Sequence, residues 1–281
     1  MSSSVFVPGH VTGFFTIENH DVSLKKGSLG AGFLLSRGVK TTISPCDELT
    51  IDVNQADDTV IREVLGIFEV ETDFKITQDI QLPVGAGFGT SAASALSLSL
   101  ALNEFLDLGY SQELCGQIAH KAEINLSAGL GDVIAQTGHG LVLRTQPGAP
   151  GIGEIRSFDH DVFIAWKTFG PIETSEIIQD SQHKKVISDV GLRYLELFEN
   201  DPSLENFLSF SNRFAHETNL MSEEVENLID YLNSSSDILG SSMAMLGNTV
   251  FAFAYDEVAF KNLNVEGLHI DRLNNIGIVY D

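Results

Sequence analysis

Eleven consecutive residues, Pro83-Val84-Gly85-Ala86-Gly87-Phe88-Gly89-Thr90-Ser91-Ala92-Ala93, have the composition that a polyphosphate asks of a protein. Three alternating glycines let the backbone curl with successive N–H groups facing inward, and they carry no side chain to block an anion. An apolar helical run follows, so the unpaired N–H groups and positive end of a helix add to the cradle. Thr90 and Ser91 bring hydroxyls suited to phosphate or to a divalent cation, and either is a good helix N-cap. The string is not a Walker loop, because no Gly-Lys-Ser/Thr follows, and its spacing differs from the dinucleotide fingerprint. Glycine spacing alone would equally suit a turn that serves tight packing.

Two carboxylates lie downstream. Glu123 ends the run Ala119-His120-Lys121-Ala122-Glu123, and Asp132 follows nine positions later in Gly129-Leu130-Gly131-Asp132. Phosphoryl transfer to an alcohol needs a divalent metal at the phosphates and benefits from a carboxylate that accepts the hydroxyl proton. One acid on a helix and one on a glycine turn could divide those tasks. With 39 acidic residues in the chain, either one taken singly reads as a solvated surface charge.

The elements that must position these groups can be read from periodicity. Val5–Val7, Gly32–Leu35, Lys40–Ile43 and Leu49–Val53 are short strand-like runs between turn residues. Asp58–Phe68 has apolar residues at helical spacing, and Phe74–Leu82 alternates as a strand. Ala92–Leu108 is apolar nearly all round, which predicts a buried helix, closed by Gly109. Ser111 caps a second helix running to about Leu126, and Leu141–Leu143 is a strand. The proline- and glycine-rich stretch 146–153 reads as a linker or long loop. Beyond it come a strand at Val162–Trp166, helices near 174–199, 203–219 and 222–233, an ambiguous segment at Leu239–Gly247, and strands at Thr249–Tyr255 and Ile276–Tyr280. The mixture without a βαβ rhythm predicts two α+β domains, 1–150 and 151–281.

Composition narrows the partners. A net charge of −23 over 281 residues repels nucleic acid and anionic membranes. An anionic ligand therefore needs local compensation from backbone N–H groups, a metal or a few placed cations. An acidic cytoplasmic proteome would produce the same charge. Cys46 and Cys115 make no disulfide framework and have no metal-ligand spacing. The first ten residues show no signal-peptide pattern and no apolar run is long enough for a bilayer, so a cytoplasmic location is expected. Oligomeric state is not legible, and a homodimer is left open.

The glycine string resembles the second signature of the GHMP kinases, the superfamily of galactokinase, homoserine kinase and mevalonate kinase, with Phe88 and Thr90 replacing its leucine and first serine. The order of loop, buried helix, glutamate helix and aspartate turn is similar too. The resemblance implies an α+β GHMP kinase fold, with an N-terminal ribosomal-protein-S5-domain-2-like domain and a C-terminal ferredoxin-like domain. It implies that Pro83, Gly85, Gly87, Phe88, Gly89, Thr90, Ser91 and Ala92 surround the phosphates of ATP. It also implies that Ser91 and Glu123 hold Mg2+, and that Asp132 is the catalytic base.

Three further segments resemble the archaeal pantoate kinase branch: Pro8-Gly9-His10-Val11-Thr12-Gly13-Phe14-Phe15, Gly27-Ser28-Leu29-Gly30-Ala31-Gly32, and Met245-Leu246-Gly247-Asn248-Thr249-Val250-Phe251. The last replaces most glycines of the superfamily's third signature, so a packed helix-to-strand turn is expected there. The branch implies pantoate as the acceptor, with Arg144, Ser28, His20 and His10 as substrate-binding residues. An arginine suits that task, because pantoate carries a carboxylate and only 16 residues of the chain are basic. Arg144 paired with a surface acid and His20 on an exposed loop are the competing readings. A mevalonate- or homoserine-type kinase and a nucleotide sensor without catalysis remain alternatives.

Overall fold

A computed structural model describes residues 2–70, 73–170 and 181–281 of the chain. Two long antiparallel strands, β1 (Ser3–Phe15) and β2 (Gly30–Pro45), form the spine of the first sheet. Only fragments of them are legible as strands, because Pro8, Gly9 and Gly13 interrupt the alternation. The structure absorbs these residues in register shifts at Pro8/His10 and Thr12/Phe14. Such irregularities bend a strand and re-aim its side chains, and they recur beside active sites.

β4 (Phe74–Ile80) pairs with one half of β2, and β3 (Thr50–Val53) runs parallel to β4, linked to it by α1 (Thr59–Phe68). β5 (Leu141–Gln146) pairs with the other half, with Arg144 opposite Gly30. β6 (Glu154–Phe158) pairs with β5, so stretch 146–153 is the turn of a hairpin inside one sheet. β11 (Val279–Tyr280), shorter than the strand expected over Ile276–Tyr280, returns to the edge of β1. Behind the sheet lie α2 (Thr90–Phe105), α3 (Gln112–Leu126) and the single turn α4 (Asp132–Ala135). Apolar residues of β1, β2 and β4 pack with those of α1 to α3 in one core. α2 is buried on nearly every side, as its composition predicts.

The second sheet comprises β7 (Phe163–Thr168), β8 (Gly240–Ala244), β9 (Thr249–Ala254) and β10 (His269–Arg272), in the antiparallel order β10-β7-β9-β8. Helices α5 (Ser181–Asn200), α6 (Leu204–Glu217) and α7 (Glu223–Asn233) connect β7 to β8, and α8 (Val258–Lys261) precedes β10. This is the ferredoxin-like arrangement. Residues 174–180 of the helix expected over 174–199 lie outside the described residues. The segment 239–247 is a strand and tight turn, not the end of a helix. Its serines face inward, Ser241 donating to the Ile229 carbonyl, which disguises the strand pattern. The two sheets meet through aromatic rings, with Phe33 of β2 packed edge-on against Phe251 and Phe253 of β9, centroids 5.0 and 4.9 Å away. Among the described residues no helix is long and apolar enough to cross a membrane.

Candidate active site

The glycine loop turns three times through left-handed backbone, at Gly85 (φ 74°), Gly87 (φ 85°) and Gly89 (φ 58°). L side chains rarely tolerate those angles, so the glycines are required by the path. Gly89 is the N-cap of α2, in place of Thr90 or Ser91. The Ser91 hydroxyl donates instead to Glu123 Oε1. No side chain among the described residues caps α2, so its first N–H groups are available to an anion.

The loop is held from behind by the turn between β8 and β9. Thr249 Oγ1 donates to the Ala86 carbonyl at 2.8 Å, and a Cβ on Gly247 would stand 2.1 Å from that same oxygen. The Met245 N–H donates to the Thr12 carbonyl at 3.0 Å, which ties the turn to β1 as well. The Phe88 ring leaves the loop to pack on Trp166 at 4.8 Å.

Glu123 projects from α3, which Ser111 caps by accepting from the Leu114 N–H. Asp132 opens α4 directly after the glycine turn. The two acids converge on Gly129, where an added Cβ would meet Glu123 Oε2 at 2.8 Å and Asp132 Oδ2 at 3.3 Å. Their environments differ. Burial pushes the Glu123 carboxyl up to about 7, the Ser91 hydroxyl opposes that, and the charge of Asp132 adds to it. Burial also works to raise Asp132, but the hydrogen bond with His10 and the charge of Arg144 outweigh it and hold Asp132 below its ordinary value. Asp132 is therefore the ionised acid of the pair.

Arg144 on β5 is almost wholly buried. Burial pulls its guanidinium down to about 10, against the opposing charge of Asp132. Nη1 donates to Thr12 Oγ1 at 3.4 Å, while Nε has no partner among the described residues. Ser28 lies on the same side of Gly131 as Arg144: a Cβ on Gly131 would meet Ser28 Oγ at 2.1 Å and Arg144 Nε at 3.0 Å.

These groups surround one cavity of about 470 Å³. Of the residues expected on sequence grounds, Gly85, Gly87, Phe88, Gly89, Thr90, Ser91, Glu123, Asp132, Arg144 and Ser28 line it. Four do not. Pro83 precedes the curl, and Ala92 is buried in the core packing of α2. His20 is exposed, with Nδ1 accepting the Val22 N–H to close a local turn. His10 is fully buried behind the cavity wall, against Asp132 and Arg144. Sequence reasoning missed Thr12, Lys26 and Lys184, which line the cavity. The scarcity of basic residues was the one signal that could have drawn attention to the lysines.

Among the described residues no three His, Cys, Asp or Glu side chains form a ready-made cation site. The donor set does fit magnesium, which takes hard oxygen ligands and is usually held by one or two carboxylates plus substrate phosphates. Ser91 and Glu123 supply such oxygens beside the phosphate cradle, and a cation there would compensate a carboxylate that burial disfavours.

The model for the GHMP kinases N terminal domain matches residues 57–140. The pantoate kinase of Methanocaldococcus jannaschii is 35% identical over 265 residues, covering 93% of this chain and 96% of that protein. The pantoate kinase of Thermococcus kodakarensis is 34% identical, covering 91% and 89%. A solved structure described as a phosphotransferase related to the CoA biosynthesis pathway aligns over 100% of this chain and 99% of its own, with a TM-score of 0.87 at 29% identity. The chain belongs to the GHMP kinases and, within them, to the family of the archaeal pantoate kinases.

Proposed function

We propose that this protein transfers the γ-phosphoryl group of ATP to the primary hydroxyl of pantoate, giving 4-phosphopantoate and ADP as a step of archaeal coenzyme A synthesis. The observation that carries this reading is the convergence on one cavity of a bare phosphate cradle, an aspartate hydrogen-bonded to buried His10, and a buried arginine whose Nε has no partner among the described residues. ATP phosphates lie against the Gly85–Ser91 backbone and the N-terminus of α2. Arg144 fixes the pantoate carboxylate by the fork geometry that guanidinium offers, with Ser28 and Thr12 beside it.

Asp132 accepts the proton of the C4 hydroxyl as that oxygen bonds to the γ-phosphorus and the bond to the ADP oxygen breaks. A carboxylate with a depressed pKa is a weak base at rest. It serves here because the hydroxyl becomes acidic only as the new P–O bond forms. Ser91 and Glu123 would hold magnesium, which when bound supplies charge neutralisation to the phosphates. Lys26 and Lys184 add positive charge at the same cavity, which matters for two anionic substrates entering a protein of net charge −23.

The test is ADP release from purified protein with magnesium ATP and a panel of alcohols: pantoate, mevalonate and homoserine. Pantoate is expected to give the highest kcat/KM. A higher value for another acceptor reassigns the substrate, and nucleotide binding without turnover of any acceptor removes the kinase reading.

A further inference from the structure

His10 lies 122 residues from Asp132 and 134 from Arg144 in the sequence, yet its imidazole sits between them. Nδ1 is 2.7 Å from Asp132 Oδ1, and Nε2 is 3.5 Å from Arg144 Nη1. The ring is fully buried. Space for it exists because residue 32 is glycine: a Cβ there would stand 2.3 Å from Nε2. The backbone of His10 is also fixed to the phosphate loop, its N–H donating to the Phe88 carbonyl at 3.0 Å.

The two contacts define the tautomer. A guanidinium can only donate, so Nε2 must be the bare nitrogen, and Nδ1 must carry the proton that is donated to Asp132. Asp132 Oδ1 is thereby occupied. Oδ2 is left turned toward Gly129, which lines the cavity.

We infer that His10 is a positioning residue: it clamps Asp132 through Oδ1 so that Oδ2 is the atom that receives the substrate hydroxyl proton. This rests on the reading of Asp132 as the base of an alcohol kinase. His10 does not line the cavity and takes no proton itself. Its second bond ties the base to the arginine assigned to the substrate carboxylate, so orientation of the base and of the acceptor are set by one ring.

Two substitutions separate the two contacts. In His10→Asn the amide can donate where Nδ1 does, keeping the clamp while losing the Arg144 contact. In His10→Gln the terminal amide reaches the Nε2 position, keeping a partner for Arg144 while losing the clamp. Misplacing a catalytic group by about 1 Å costs on the order of 10²-fold. His10→Gln is therefore expected to lower kcat about 10- to 100-fold with the KM for ATP unchanged, and His10→Asn to lose several-fold less kcat than His10→Gln while raising the KM for the acceptor, because it gives up only the Arg144 contact.

Equal kcat losses in both variants, or full kcat in His10→Gln, would overturn the assignment. A second readout needs neither variant nor acceptor. A long-range 1H–15N spectrum of the wild-type protein at pH 7.5 should show the His10 ring with Nδ1 protonated and Nε2 bare. An Nε2–H tautomer or an imidazolium defeats the inference whatever the substrate proves to be. Failure of the wild type to phosphorylate pantoate defeats the functional reading instead, and the two variants are then compared on whichever alcohol of the panel turns over.

Discussion

Replacing Arg144 by alanine is the most discriminating single substitution for substrate choice. The side chain is 1% exposed, and two of its contacts within the protein are long, at 3.4 and 3.5 Å. Nε has no partner among the described residues. Its donors are thus largely uncommitted, and burial strengthens whatever carboxylate they meet. A lost charge-assisted hydrogen bond costs about 1.5–3 kcal/mol, which is roughly 10- to 150-fold in affinity. Arg144→Ala should therefore raise the KM for pantoate by that factor and leave the KM for ATP within about twofold. Some loss of kcat should accompany it, because Arg144 also helps keep Asp132 ionised and contacts His10. Arg144→Lys should recover part of the pantoate affinity, since lysine restores the charge but not the planar fork. Initial rates from a coupled ADP assay, varying each substrate at saturation of the other, decide the matter. An unchanged pantoate KM, or a rise confined to ATP, would refute the placement of the carboxylate at Arg144.

The remaining expectations address the other parts of the site. Asp132→Asn should lower kcat by about 10²–10⁴-fold, the usual cost of losing a general base. ATP should still bind, as followed by the fluorescence of Trp166, the one tryptophan of the chain, which packs on Phe88 of the loop. Glu123→Gln and Ser91→Ala should each raise the magnesium concentration needed for half-maximal activity, and in the wild type that concentration should fall as pH rises through about 7, where Glu123 loses its proton. Glu123 also has a signature in stability. Its folded pKa lies above the unfolded value, so the folded state holds the proton more tightly, and stability falls as pH rises toward and through the folded pKa. Glu123→Gln should accordingly raise Tm relative to wild type at pH 8 and leave it little changed near pH 4. Gly247→Ala should raise the KM for ATP more than that for pantoate and lower Tm, because its Cβ would press on the Ala86 carbonyl and overpacking costs about 1–3 kcal/mol.

Local chemistry was the legible part of the site. The glycine loop and the Ser111 cap could be read directly, because each depends on neighbours within a few residues, whereas the expected roles of Ser91, Glu123 and Asp132 came from the resemblance to the GHMP kinases. β1 is visible only in pieces, since Pro8, Gly9 and Gly13 suggest turns unless bulges in a long paired strand accommodate them. The hairpin at 146–153 reads as a linker because glycine and proline mark a chain reversal without saying which strands it joins. The helix-to-strand turn expected at 241–251 failed for another reason, as inward-facing serines masked a strand. His10 shows the limit most clearly. The residue stands out in the sequence, but its partners come from α4 and β5, and no spacing rule connects them. The structure places its ring against Asp132 and Arg144, fully buried.

The central claim is tested most directly by identifying the product. Wild-type protein, pantoate and magnesium ATP should yield one ADP per pantoate consumed. Phosphorus and carbon NMR should then show a phosphate monoester on the C4 primary oxygen. A phosphate on the C2 oxygen, or no pantoate-dependent ADP release, would contradict the account.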